Sequence, residues 1–165
     1  MSDLLFCPTY TAVQNLNNEG FANKQVQGLQ VGDVMQDAVL LFAKKAVAPA
    51  GELSDEFILA TLHRAENTDS PERLANIVNA LNQLHQTLVP VVLPLHPRTR
   101  KLIAEQGLEL NVQLTDPVGY FEMVWLLDHC QLVLTDSGGV QKEAFSLVRL
   151  VSRCVTKPRA DKSGS

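Results

Sequence analysis

The chain predicts an α/β fold built on a Rossmann-like parallel sheet. Three observations predict it. Short apolar runs alternate with amphipathic segments along most of the 165 residues, the pattern of strands joined by crossover helices. The run at residues 57–61 (FILAT) is continuously apolar, as in a strand covered on both faces. The unusual polar residues fall just after such runs, at the edge where a doubly wound sheet binds its ligands.

The elements follow in order. Residues 3–6 read as a short strand stopped by Pro8. Thr9 caps a helix running to about Glu19, with Gly20 as its C-terminal stop. Val26 and Gln27 suggest a brief strand. Asp33 caps a helix on which Val34, Ala38, Leu41 and Lys45 recur at helical spacing. Residues 48–52 (APAGE) are the linker candidate, with Pro and Gly between two periodic segments. After FILAT, Ser70 and Pro71 give a cap followed by proline at the first helical position. Leu74, Ile77, Val78, Leu81 and Leu84 then share one face. Residues 91–95 (VVLPL) form a second strand, with Pro94 confined to its end or to a sheet edge. Residues 99–106 are helical and closed by Gly107. Residues 112–114 form a strand, 121–128 a helix and 132–134 a strand. Residues 135–139 form a turn, and Val140 opens a last helix.

Composition narrows the function classes. Hydrophobic residues at 45% and charged residues at 19% are those of a globular chain. Net charge is −4 and the basic residues are scattered, so no basic stripe argues for nucleic acid. No apolar run approaches the ~20 residues that span a bilayer. The three cysteines, Cys7, Cys130 and Cys154, form no C-x-x-C pair, which argues against zinc and for a reducing, cytoplasmic setting.

Four constellations stand at the predicted loop edge. Thr135-Asp136-Ser137-Gly138-Gly139 follows a buried-type strand and opens a helix. Its glycines let backbone approach a ligand, and the helix start offers free N–H groups to a diphosphate. The competing reading is a plain capped turn. His63-Arg64-Ala65-Glu66-Asn67 follows FILAT. His63 there suits phosphate neutralisation, against the alternative of a solvated loop. His96-Pro97-Arg98 repeats the placement after VVLPL, against a surface loop. Glu143, one turn into the last helix, reaches a sugar hydroxyl or is an ordinary exposed glutamate. Convergence of basic loops and a glycine-rich cradle at one edge describes a site for a phosphorylated, sugar-like ligand. His85 and His129 receive no role, and Trp125 reads as packing.

Four stretches carry a family resemblance: LATLHRAEN (59–67), PLHPRT (94–99), DPVGYFEMVWLL (116–127) and LVLTDSGGVQKEA (132–144). They closely resemble the C-terminal domain of non-hydrolysing UDP-N-acetylglucosamine 2-epimerases. SDLLFCPTYTAVQNL (2–16) is similar to a segment late in that family's first domain. The resemblance implies a two-domain GT-B-type fold with a UDP-sugar between the domains, no cofactor and a homodimer. It implies inversion at C2 of UDP-N-acetylglucosamine, by anti elimination of UDP to a 2-acetamidoglucal and re-addition, for surface polysaccharide synthesis. His63 matches the active-site histidine near the diphosphate. Ser137, Gly138 and Gly139 match the diphosphate turn, and Glu143 matches the acid that holds the ribose. Val118 and Met123 fall where some members place Gln and Phe around uracil. Arg64 and His96 match positions that some bacterial members use for a second, activating UDP-N-acetylglucosamine.

The resemblance also sets expectations for completeness. Residues 1–47 are expected to be the remnant of a first Rossmann-like domain, 48–52 a linker and 53–145 the nucleotide-sugar-binding domain. Most carboxylates that move the C2 proton would lie in the remainder of the first domain, so this chain alone is expected to be inactive. The alternatives are a non-catalytic nucleotide-sugar-binding remnant and half of a GT-B glycosyltransferase. Residues 146–160 (SLVRLVSRCVTKPRA) depart from the family's apolar continuation. A frameshift after Phe145 explains this, against a divergent tail or an appended Ser163-Gly164-Ser165 scar. On that reading residues 146–165 form no native last strand and helix.

Overall fold

A computed structural model describes residues 3–24, 26–147 and 149–153. It contains a two-stranded sheet, β1 (Leu4–Cys7) and β2 (Gln27–Gln30), and a five-stranded one. The larger sheet comprises β3 (Ile58–Thr61), β4 (Val91–Pro94), β5 (Gln113–Thr115), β6 (Leu132–Thr135) and β7 (Leu150–Arg153). Its order is β5-β4-β3-β6-β7 and every pairing is parallel. The chain winds outward from β3 through β4 to β5, returns to the other side of β3 for β6, and winds outward again. The Rossmann-like α/β class read from the sequence is therefore what the chain adopts.

Local chemistry starts the helices where the caps predict. Thr9 accepts from the N–H of Ala12 and opens α1 (Tyr10–Asn18). Gly20, at φ 86°, takes the left-handed turn that ends this segment. Asp33 accepts from the N–H of Met35 and opens α2 (Val34–Ala43). Ser70 caps α4 (Pro71–Thr87), with proline in its first turn. Gly119 precedes α6 (Tyr120–His129), where Glu122 reaches back to the Gly119 N–H at 2.7 Å.

Two expected loops are partly helical. Residues 65–68 of the predicted 63–68 loop form a single turn, α3 (Ala65–Thr68). His96 is the cap of α5 (Pro97–Glu105), so that helix begins two residues earlier than predicted. At His96 the polar side chain expected to face a ligand also satisfies a helix-start N–H donor, whereas no side chain caps α3 from its own N-terminal residue.

Each sheet face has its own core. Ile58, Leu93 and Leu134 meet Leu74 and Val78 of α4 and Ile103 of α5 on one face. Leu59, Val92 and Val133 meet Leu126 and Leu127 of α6 and Val140 and Ala144 of α7 (Gly138–Ser146) on the other. The four residues of β3 and of β4 are all buried, as a doubly covered strand requires. Pro94 sits at the end of β4, where a missing donor costs little. His85 is structural: its Nδ1 accepts from the N–H of Val91 at 3.0 Å, at the start of β4. Trp125 is half-buried against the second core and stacks on His129 with centroids 4.0 Å apart.

The tail departs from expectation. Leu150–Arg153 pair in register with Leu132–Thr135 as β7, and Val151 packs against the second core. Arg149, just before it, donates to the carbonyl of Asp128 and to its Oδ1. An apolar Leu-Val pair, with Val151 β-branched, beside an open edge of β6 is enough to add a strand, whatever the origin of the segment. The rest of the expectation for the tail, from residue 154 onward, lies outside the described residues. The linker at 48–52 separates α2 from β3 in sequence, but in space α2 lies against α6 and α7. Phe42 of α2 meets Tyr120 and Phe121 edge-on, and Asp33 pairs with Lys142 at 3.3 Å.

Candidate functional site

The winding direction reverses between β3 and β6, and sheets of this kind bind ligands at the C-terminal edge beside such a reversal. β3 and β6 are paired in register from Ile58↔Leu132 to Thr61↔Thr135. The two threonine hydroxyls meet at 2.6 Å beneath that edge, and both residues are buried. The loops carrying His63 and Ser137 therefore leave the sheet side by side.

Asp136 joins them. It is 0% exposed. Its carboxylate accepts from the N–H of His63 at 3.0 and 3.2 Å, from that of Arg64 at 2.9 Å, and from Asn67 Nδ2 at 2.9 Å. These donors surround the start of α3, so a carboxylate of the chain itself occupies that helix start. The start of α7 is arranged differently. The Ser137 N–H donates to Thr135 Oγ1 at 3.0 Å, and Ser137 Oγ accepts from the Val140 N–H. The N–H groups of Gly138 and Gly139 lie in the first turn, where no intrahelical acceptor exists. Neither glycine has a positive φ. A Cβ on Gly138 would meet nothing within 4 Å, and one on Gly139 would touch only Met35 Cε and Ser137 Oγ, each at 3.7 Å.

Beside this turn lies a cavity of about 280 Å³ lined by His63, His96, Arg98, Val118, Met123 and neighbouring side chains. His96 Nδ1 accepts from the Arg98 N–H at 3.2 Å, which leaves Nε2 as the ring's free donor when neutral. Arg98 is held by Asp69 at 2.8 Å. Among the described residues no Asp or Glu lines the cavity.

Of the residues singled out in sequence, His63, His96, Val118 and Met123 share this cavity. Ser137, Gly138 and Gly139 stand next to it across the Asp136–His63 contact rather than in its wall. Arg64 contributes its backbone N–H to Asp136, while its side chain lies 4.0 Å from Glu66. Glu143 is half-buried on α7, and that burial raises its carboxyl above the ordinary range. Burial raises the Tyr120 hydroxyl above its ordinary range, and the charge of Glu143 adds to that shift. Asp136 and Asn67 fall within the sequence constellations without a role of their own, and Tyr120 has none there either. The available signal for Asp136 was a carboxylate placed directly after a buried strand, which is costly unless several donors await it.

Among the described residues no helix is long and apolar enough to cross a membrane. The family model described as UDP-N-acetylglucosamine 2-epimerase matches residues 1–157. A UDP-2,3-diacetamido-2,3-dideoxy-D-glucuronate 2-epimerase of Pseudomonas aeruginosa is 63% identical over 146 residues, which are 88% of this chain and 41% of that protein. The UDP-GlcNAc 2-epimerase of Methanocaldococcus jannaschii, solved with UDP-GlcNAc and UDP, superposes with a TM-score of 0.77 at 35% identity. That match covers 92% of this chain and 45% of the other. The Neisseria meningitidis enzyme bound to UDP-GlcNAc superposes with a TM-score of 0.74 at 30% identity, over 91% and 44%. The chain thus spans less than half the length of these relatives. Its sheet is of the kind found in GT-B-type epimerases, and on the match over residues 1–157 the chain belongs to the UDP-N-acetylglucosamine 2-epimerase family.

Proposed function

We propose that this chain holds the nucleotide diphosphate of a UDP-linked 2-acetamido sugar for epimerisation at C2. One observation carries the reading: consecutive glycines at the switch-point helix start, with open space where the first Cβ would stand. The chain's own packing gives neither position a reason to be glycine, whereas a diphosphate approaching the backbone N–H groups does. His63 then lies beside the diphosphate, and Ser137 adds a hydroxyl. Glu143 takes the ribose, and Val118 and Met123 form an apolar wall for the base. Arg64 and His96 are assigned to a second nucleotide sugar.

The relative at 63% identity supports a 2,3-diacetamido uronate as the sugar, in preference to the N-acetylglucosamine expected from sequence. Among the described residues no Asp or Glu lines the cavity, and we infer binding without turnover by this chain alone because the proton transfer at C2 expected of the family relies on carboxylates. We place its work in the cytoplasm, in polysaccharide synthesis and as part of a homodimer, with 53–145 as the nucleotide-sugar-binding domain. Calorimetric titration with UDP, followed by incubation with UDP-GlcNAc and the diacetamido uronate, tests this. Saturable UDP binding without released UDP or C2 epimer is expected. No saturable signal at millimolar UDP refutes the binding role, and turnover refutes the inactivity.

A further inference from the structure

The cavity beside the glycine turn draws its walls from both faces of the sheet. Met123 belongs to α6, which packs on one face with α7, and Arg98 belongs to α5, which packs on the other with α4. His63 follows β3, the strand next to β6 and its glycine turn. The wall given above to the base therefore stands across the sheet edge from Arg98.

The lining is one-sided in charge. Among the described residues its ionisable side chains are His63, His96 and Arg98. Leu62, Pro94 and Pro117 add apolar surface, which lowers the local dielectric and strengthens any charge interaction made there. Arg98 is the permanent cation of the three, because a guanidinium does not lose its proton in a protein.

Arg98 is also held in place without being saturated. Its Nη2 donates to Asp69 Oδ1 at 2.8 Å, and Asp69 is not part of the cavity wall. The other guanidinium N–H groups have no partner among the described residues. The two side chains are 63% and 50% exposed, so their pairing adds little to the stability of the fold. What the pairing does is orient a planar fork of donors, and such a fork matches a carboxylate.

We propose that Arg98 reads the carboxylate of a uronic acid in the UDP-linked sugar, and so sets a preference for an acidic sugar over a neutral one. This rests on the binding role and the uronate reading given above, and it names the residue that the uronate reading requires. A uronate differs from its neutral counterpart by a carboxylate in place of a hydroxymethyl group. A fixed cation facing the ligand separates the two, because the neutral group leaves that charge unanswered beside apolar surface.

The test titrates the full chain by calorimetry with three ligands. They are UDP, the UDP-linked 2,3-diacetamido uronate, and the same nucleotide sugar with a hydroxymethyl group in place of the carboxylate. The parent should bind the uronate at least about tenfold more tightly than the neutral sugar, as one hydrogen bond to a charged group allows. Arg98→Gln should bring the two sugars to equal affinity by weakening the uronate alone. Arg98→Lys keeps the charge and loses the fork, and should fall between the two. Equal weakening of all three ligands by Arg98→Gln would mark a structural role and overturn the proposal. A uronate preference that survives Arg98→Gln overturns it as well. A parent that binds UDP but does not prefer the uronate keeps its diphosphate site and removes this role for Arg98. A parent that binds no UDP removes both.

Discussion

The backbone N–H of His63 donates to both carboxylate oxygens of Asp136, at 3.0 and 3.2 Å. Through this contact the residue before the glycine turn sets the position of the histidine after β3. Asp136→Asn should keep the fold but lower stability by about 2–3 kcal/mol, because an amide turned toward N–H donors leaves buried groups unpaired. Urea unfolding measures that cost. UDP affinity should fall with it, although Asp136 touches no ligand in this account.

Gly138→Ala separates folding from binding. The added methyl meets nothing in the chain, so stability should hold or rise by about 0.5 kcal/mol through a less flexible unfolded state. UDP affinity should drop at least about tenfold as the methyl holds the diphosphate away from the N–H groups. Equal UDP affinity in the variant and the parent would remove the reason for placing the diphosphate there.

How much of this was legible follows from the residues themselves. Thr9, Asp33 and Ser70 announced their helices because a short polar side chain before an amphipathic run has one dominant local use. FILAT announced a central strand because nothing else buries five consecutive residues so cheaply. The glycine turn was legible as a turn. Asp136 was not, because its role depends on donors more than 65 residues away in sequence, brought close only by strand order. The strand at 150–153 was missed for the opposite reason: its origin was weighed, and its local β propensity and the open edge of β6 were not.

That strand gives a third prediction. Val151 packs on the second core from β7. Val151→Asp should cost about 1–3 kcal/mol, the range for placing an unpaired polar group in partly buried apolar surroundings. Thermal unfolding checks it. A variant as stable as the parent would mean that the sheet ends at β6 in solution.

Glu143 offers a pH signature. Burial raises its carboxyl, so the folded chain favours the protonated form. The sign follows: the stabilising preference is present at acidic pH and is lost as pH rises through the raised value. Glu143→Gln should therefore raise Tm at pH 7 and change it less near pH 4. The same variant should weaken UDP binding if Glu143 holds the ribose. Differential scanning at the two pH values, with and without UDP, reads both effects.

Cys130 provides a chemical probe. Burial pushes its thiol up to about 11, and Sγ donates to the Leu127 carbonyl at 3.4 Å. At pH 8 almost none is thiolate, so iodoacetamide should leave this residue unmodified until the chain unfolds. Peptide mass mapping across a urea series should show its labelling rise together with loss of circular dichroism.

The hydroxyls of Thr61 and Thr135, 2.6 Å apart in paired strands, have a broader consequence. They rivet the ends of β3 and β6 to each other, so neither loop that follows can shift at its root without carrying its neighbour along. On the proposed binding role, adjustment to different sugars must then come from the outer rim, where His96 and Arg98 follow β4 and Val118 follows β5. If the glycine turn holds a pyrophosphate as proposed, a lineage can thus change which sugar it accepts while that grip stays as it was.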